Sequence, residues 1–135
     1  MKNTIKIAIV VVCLPLAILG FGAMFDPYPV ADQFAIELLG THGLSTMRGD
    51  VGGLLLGSVI MAIIGLWRNN TVWFLAVAVM MLTVASGRLV GFLMDGVTPA
   101  VMTPLVAELI IAAVMIAAHR MLSAQSSAPS SDLTG

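Results

Sequence analysis

Residues 45–67 read STMRGDVGGLLLGSVIMAIIGLW, an arginine and a carboxylate followed by an apolar run that ends in a tryptophan. Beyond Asp50 the run carries no charge, and its length approaches the about 20 apolar residues that a helix needs to cross about 30 Å of hydrocarbon. The stretch therefore predicts a membrane-spanning helix, with Arg48 and Asp50 at one mouth. Trp67 stands at the other interface, where aromatic side chains are enriched.

The composition of the whole chain agrees with a membrane setting. Of its 135 residues, 59% are hydrophobic and 10% are charged, whereas soluble domains carry about 25% charged residues. The net charge of -1 gives no electrostatic reason to expect a nucleic-acid partner. The single cysteine, Cys13, excludes an internal disulfide and a multi-cysteine metal site. We therefore expect an integral membrane protein with the lipid bilayer as its surroundings, with no cofactor and no metal.

Three further segments have the apolar length of a membrane span. The four predicted spans cover residues of about 5–25, 49–67, 72–93 and 99–120. For the first span a signal peptide is the alternative, because Lys2 and Lys6 precede its apolar run. The fold expected is all-α, a four-transmembrane-helix bundle in a membrane domain at 1–122, with a disordered Ser- and Pro-containing tail at 123–135.

The connection between the first two spans is longer than the others and rich in turn-forming residues. Within it, residues 30–39 place apolar side chains at roughly helical spacing, which predicts a short helix lying in the membrane interface. Thr71 precedes the third span and is predicted to cap it, because a hydroxyl can accept from a free N–H at a helix start.

The charged residues divide between the two sides of the membrane when four helices alternate. One side receives Lys2, Lys6, Arg68 and Arg120, and the other receives Asp26, Asp32, Glu37 and Asp95. Cytoplasmic loops carry an excess of lysine and arginine. The pattern therefore predicts that both termini are cytoplasmic.

Two charges fall inside the predicted spans. Arg88 lies roughly 9 Å along the third helix from its end, and Glu108 lies roughly 13 Å along the fourth helix from its start. An arginine at the centre of a membrane helix costs on the order of 2.5–3.5 kcal/mol, so we predict that it pairs with Glu108. Asp95 shares the helix face of Arg88, and Arg48 with Asp50 is expected to form a further pair at the rim.

The sequence therefore predicts an outward-facing charged pocket that binds a small molecule or a lipid headgroup. Its five residues are Arg48, Asp50, Arg88, Asp95 and Glu108. Three carboxylates against two arginines favour a proton or a cation among the bound species. A purely structural ion-pair network in a subunit or assembly partner of a larger membrane complex is one alternative. A small oligomeric transporter is another. No enzyme is expected, because no recognisable nucleophile accompanies the charges.

Five glycines are predicted to serve helix packing. Gly49, Gly53 and Gly57 recur at four-residue spacing, which places them on one helix face that another helix can approach closely. Gly87 and Gly91 flank Arg88 in the same manner. The approaching helix belongs either to this chain or to a second protein, as in a homo-oligomer or a membrane complex.

The arginine that enters the glycine-rich second span, the segment GRLVGFLMDG at 87–96 and the glutamate of the last span together form a pattern. It resembles a widespread family of small bacterial four-helix membrane proteins catalogued as a domain of unknown function, and more distantly DoxX-like proteins. The resemblance covers roughly residues 5–121 and implies a multi-pass location in the bacterial inner (cytoplasmic) membrane. It implies these signature positions: Arg48, Gly52, Gly53, Gly87, Arg88, Asp95 and Glu108. It implies no activity.

Overall fold

The structure is a computed structural model that describes residues 2–126, with side chains described at 3–98 and 101–124. Its elements are α1 (Lys2–Phe25), α2 (Pro27–Gln33), α3 (Gly40–Thr46), a π-helical segment (Met47–Gly52), α4 (Gly53–Arg68), α5 (Val72–Asp95) and α6 (Pro99–Ser126). No strand occurs in this range, so the all-α prediction is confirmed.

Four helical segments are long and apolar enough to cross a membrane, as predicted. They are Asn3–Phe25, Gly40–Arg68, Val72–Asp95 and Val101–Ala124. Side chains on the outside of the helices are themselves apolar, such as Val10, Leu14 and Ile18 on α1 at 59%, 60% and 64% exposed. Apolar surface of this extent is unfavourable in water and suits lipid. The chain is thus a multi-pass membrane protein.

The four long helices form a ring in which each packs against two others. α1 contacts α4 and α6, and α5 contacts α4 and α6. α5 and α6 run antiparallel, because Arg88 contacts Glu108 while Thr71, at the start of α5, contacts His119 near the end of α6. The end of the ring at which α5 stops, at Asp95, is called the Asp95 end.

Two apolar clusters fill the ring. The larger cluster is centred on Ile9, Phe74, Met81 and Met115, each at most 2% exposed. The smaller cluster lies where α1, α2 and the π-helical segment meet, around the buried Met47. Burial of a large apolar side chain stabilises a fold by roughly 1.5–3 kcal/mol where the surroundings are water. In lipid the same contacts contribute mainly through close packing.

The second span is longer than predicted. Its helical conformation begins at Gly40 and continues to Arg68 without interruption, whereas the sequence predicted a start at 49. The π-helical segment joins α3 to α4, and such segments have one more residue in the turn than an α-helix. α4 ends where Asn69 adopts φ 50°, and the Asn70 N–H donates to the Gly65 carbonyl at 3.2 Å. Asparagine tolerates this left-handed conformation better than most residues.

The short interfacial helix also differs from its prediction. It spans Pro27–Gln33 instead of 30–39. The prolines stand in its first turn, where the missing N–H groups would have had no intrahelical acceptor. Past its end Ala35 has φ 55°, which breaks the helical path. Apolar spacing in residues 34–39 therefore did not produce a helix.

Two other expectations about helix ends differ from the structure. Thr71 precedes α5, but its side chain makes no capping bond; the Val72 N–H donates to Oδ1 of Asn70 at 3.1 Å. α6 extends to Ser126, so the first residues of the predicted tail are helical. The remainder of that tail, 127–135, lies outside the described residues.

Gly52 is a glycine of the second span at which the backbone of α1 comes close. A Cβ at this position would lie 3.2 Å from the Met24 amide nitrogen and 3.3 Å from the Gly20 carbonyl oxygen. Backbone atoms cannot move aside as a flexible side chain can. At Gly53, the next residue, a Cβ would meet no atom within 4 Å.

Replacing Gly52 by Leu should destabilise the bundle, whereas replacing Gly53 by Leu should not. Leucine at 52 must displace the backbone of α1, and overpacking of this kind costs about 1–3 kcal/mol. The gain in helix propensity is the same for both variants and cancels in the comparison. The measurement is the midpoint of thermal loss of monodisperse protein in detergent. Equal midpoints for the two variants would contradict the close approach of α1.

Candidate functional site

The strongest polar contact joins the C-terminal part of α5 to the N-terminal part of α6. Nε of Arg88 donates to Oε1 of Glu108 at 2.7 Å. The two helices run antiparallel, so residues at similar distances from the α5–α6 turn meet at the same depth. The predicted Arg88–Glu108 pair is present, and it is the one ion pair among the side chains described at 3–98 and 101–124.

The two members of the pair differ in burial. Glu108 is 8% exposed as a whole residue, whereas 29% of the Arg88 side chain is exposed. Oε2 of Glu108 is buried and has no hydrogen-bond partner among the described residues. A buried polar atom without a partner costs about 1–3 kcal/mol, and more when it is charged. The site therefore holds one satisfied and one unsatisfied carboxylate oxygen.

Asp95 lies on the same helix face as Arg88 but makes no ion pair with any side chain described at 3–98 and 101–124. Its side chain is exposed, and its Oδ2 lies 3.8 Å from the position of a Cβ at Gly91. The carboxylate thus folds back along α5, in the direction of the arginine. Of the five predicted site residues, Arg88 and Glu108 are in contact, and Asp95 is the third on their side of the bundle.

Arg48 and Asp50 do not join that cluster, and the expected Arg48–Asp50 ion pair is not formed. Both residues are exposed on the π-helical segment, and side chains two positions apart in a helix do not face each other. Nε of Arg48 instead donates to the Met24 carbonyl oxygen at 3.1 Å. That carbonyl belongs to the last turn of α1, where intrahelical donors run out. This hydrogen bond therefore links α1 to the second span.

The predicted packing glycines are not the ones that pack within this chain. A Cβ at Gly49, Gly53, Gly57 or Gly87 would meet no atom within 4 Å, and one at Gly91 would meet only Oδ2 of Asp95. The close approaches occur at Gly20 against Leu56, at Gly52 against α1, and at Gly65 against Phe74. Four-residue spacing predicts which residues share a helix face, but it does not state which face is turned inward.

Two other polar side chains of the bundle contact backbone carbonyl oxygens. Ser58, fully buried, donates through Oγ to the Leu54 carbonyl at 2.9 Å, one turn earlier on its own helix. Nδ1 of His119 lies 3.0 Å from the Thr71 carbonyl oxygen at the opposite end from the Arg88–Glu108 pair. Sequence reasoning did not single out either contact, because a backbone acceptor leaves no signal in residue types. Neither contact leaves a free acceptor comparable to Oε2.

No metal centre is assembled by the part of the chain that the structure describes. Within it, no group of three or more His, Cys, Asp and Glu residues is placed to hold a metal ion. The chemistry that remains is hydrogen bonding and charge pairing.

A protein-family model described as Domain of unknown function (DUF4345) matches residues 4–119. This range includes all four long helices up to His119 and every residue of the candidate site. No curated protein and no solved structure matches the chain. The expected distant likeness to DoxX proteins has no support among these comparisons.

Replacing Arg88 by Ala should lower the yield of folded protein, because Glu108 is then buried without a counter-ion. Breaking a buried pair by removing one partner costs on the order of 3 kcal/mol or more. The double variant Arg88→Met with Glu108→Gln should recover most of the yield, since no unpaired charge remains. Arg68→Ala, at an exposed arginine outside any described ion pair, is the control and should leave the yield unchanged.

The measurement is the amount of monodisperse protein extracted from equal membrane preparations. An Arg88→Ala variant as abundant as the control would show that the pair contributes little to folding. Failure of the double variant to recover would show that the polar groups themselves are needed.

Proposed function

We propose that this chain, which belongs to the DUF4345 family, is a non-enzymatic membrane protein that binds a small molecule or lipid headgroup at the Arg88–Glu108 pair. One observation carries the proposal: Oε2 of Glu108 is buried and lacks a hydrogen-bond donor. Nearly all buried polar side-chain atoms have a partner, and an exception is explained by strain or by a donor from outside the chain, of which water is one. A ligand is such a donor.

The arginine also has unused capacity. Its guanidinium carries five N–H donors, and the described contacts use Nε alone, toward Glu108. The side chain is partly exposed, and Gly87 beside it adds no side chain that would cover it. The pair therefore offers a free acceptor and free donors next to each other. That combination favours recognition of a polar group over a purely structural lock.

The proposed orientation follows from the charge distribution. Lys6, Arg68 and Arg120 lie toward the end of the bundle opposite Asp95, and cytoplasmic segments are enriched in lysine and arginine. We place that end in the cytoplasm and the Asp95 end outside, in a bacterial inner membrane. The ligand then reaches the pair from the outer side. Catalysis is not expected, because no hydroxyl or thiol is among the described hydrogen-bond partners of the pair.

Native mass spectrometry should detect a molecule that co-purifies with the wild-type protein and is lost from Glu108→Gln. The amide removes the charge and replaces one acceptor oxygen by a donor, so a donor on the ligand no longer finds its partner. The protein is extracted gently from its own membrane. Glu37→Gln, at an exposed carboxylate in the connection after α2, is the matched control and should retain the molecule.

A bare wild-type chain would contradict the binding proposal and favour the structural lock. Loss of the molecule from Glu37→Gln to the same extent would show that it is held by general charge and not at the pair. The mass of a retained molecule gives its chemical class.

A second candidate function is assembly with another membrane protein or another copy of the chain. It is favoured by the face of α4 and the preceding segment that carries Gly49, Gly53 and Gly57, which no other part of the described chain approaches. Small residues at four-residue spacing allow helix backbones to come close in a membrane. In this role the face is a contact surface for a helix from outside the chain.

Cysteine at position 53, in a Cys13→Ser background, should crosslink to a partner when the protein is oxidised or treated with a thiol crosslinker in its native membrane. A Cβ at 53 meets nothing within 4 Å, so the variant should fold normally. Ile18→Cys in the same background is the control, since it is 64% exposed on α1. The measurement is the appearance of a larger species on gel electrophoresis. Equal crosslinking at both positions, or none, would contradict assembly through the glycine face.

A further inference from the structure

The face of α5 that carries Arg88 continues toward the Asp95 end through Gly91, a half-buried glycine. Gly91 is three residues from Arg88 and four from Asp95, so the three residues share one helix face. A Cβ at Gly91 would meet only Oδ2 of Asp95 within 4 Å. Gly91 itself therefore places no side chain between the arginine and the aspartate. Arg88, Gly91 and Asp95 are termed the α5 strip.

The charges on and beside the α5 strip do not balance. Arg88 and Glu108 neutralise each other through their contact at 2.7 Å. Asp95 adds a negative charge, and no cationic side chain pairs with it among those that the structure describes. Arg48, the other arginine toward this end, donates to a backbone carbonyl of α1. The site thus carries one excess negative charge next to a carboxylate oxygen that lacks a donor.

One chemical group can supply both the missing positive charge and the missing hydrogen-bond donor. A protonated primary or secondary amine supplies a positive charge and N–H donors together. An anion such as a phosphate would add to the excess negative charge, which is costly at membrane depth. A quaternary ammonium supplies the charge without an N–H, and an alcohol supplies a donor without the charge.

On the basis of the binding role proposed above, we infer that the ligand is an alkylammonium, a protonated amine carried on an aliphatic body. Its N–H groups donate to Oε2 of Glu108, and Asp95 supplies further negative charge at the entrance of the α5 strip. With the amine bound, two cations face two carboxylates. The charge-assisted hydrogen bonds that result are about twice as strong as neutral ones.

The surroundings of the α5 strip suit an aliphatic body. Leu89 on α5 and Leu109 on α6 are 49% and 45% exposed, and Val106 is 49% exposed. These side chains lie next to the charged residues in sequence on the lipid-facing parts of their helices. An alkyl chain stays in hydrocarbon against them while its ammonium enters between α5 and α6.

Access to Oε2 requires a side chain to move, because Oε2 itself is shielded from solvent. Arg88 is the partly exposed member of the pair, and Gly91 adds no side chain of its own between Arg88 and Asp95. Movement of the guanidinium along the α5 strip uncovers Glu108 and brings the arginine nearer to an opposite charge. The amine then replaces the arginine at the carboxylate at little electrostatic cost.

The test uses the full chain in phosphatidylcholine nanodiscs, with bound probe counted by native mass spectrometry. Dodecylamine should bind one per chain, and dodecyltrimethylammonium and dodecyl phosphate, of the same alkyl length, should bind about tenfold less, the expected effect of a lost hydrogen bond to a charged group. Glu108→Gln should lower dodecylamine binding by about tenfold on the same basis. Asp95→Asn, at an exposed position where folding is not at risk, should lower it by a smaller factor. Glu37→Gln should leave it unchanged.

Binding of dodecyl phosphate or dodecyltrimethylammonium that depends on Glu108, at or above the level of dodecylamine, would overturn the inference and leave the proposed binding function standing. Dodecylamine binding that is equal in wild type, Glu108→Gln and Asp95→Asn would mean partition into the bilayer and would also overturn it. Absence of every probe, together with a bare chain from the native membrane, would overturn both the inference and the proposed function.

Discussion

The structure depends on the requirement that backbone N–H and C=O groups in hydrocarbon find their partners inside the protein. Helices meet this requirement along their length, but the first N–H groups and the last C=O groups of each helix have no intrahelical partner. The chain supplies partners there with polar groups: Asn70 accepts from the first N–H of α5, and Arg48 donates to a terminal carbonyl of α1. Polar residues near the ends of the spans are therefore explained largely by the backbone and need no ligand.

The Arg88–Glu108 pair differs from these contacts because it joins two side chains and satisfies no backbone group. Its members come from two helices and meet inside the apolar bundle, where separation of the charges would be costly. A pair serving only as a lock would be expected to use both carboxylate oxygens. Here the second oxygen is buried without a donor among the described residues, and Gly91 adds no side chain between the arginine and Asp95. These two features support the proposed binding role.

Much of this could be deduced before the fold was known, for reasons that differ from residue to residue. The pairing of Arg88 with Glu108 followed from depth alone, since antiparallel neighbours joined by a short turn place equal distances from that turn side by side. The pairing expected for Arg48 and Asp50 was wrong because side chains two positions apart in a helix do not face each other. Arg48 found a carbonyl of α1, and backbone carbonyls carry no mark in a sequence.

By itself the sequence determined the helical fold class, the number of long apolar helices and the two charges that meet inside them. These properties depend on hydrophobic length and on position along one axis, both of which a linear chain records. The tertiary structure decided which glycine faces inward, since Gly52 packs on α1 while Gly53 faces open space. It also decided that one oxygen of Glu108 has no donor. The orientation of a glycine and the partners of a carboxylate both depend on how each helix is rotated about its axis and on which side chains lie beside it. Only the packing of the helices in three dimensions determines these two properties.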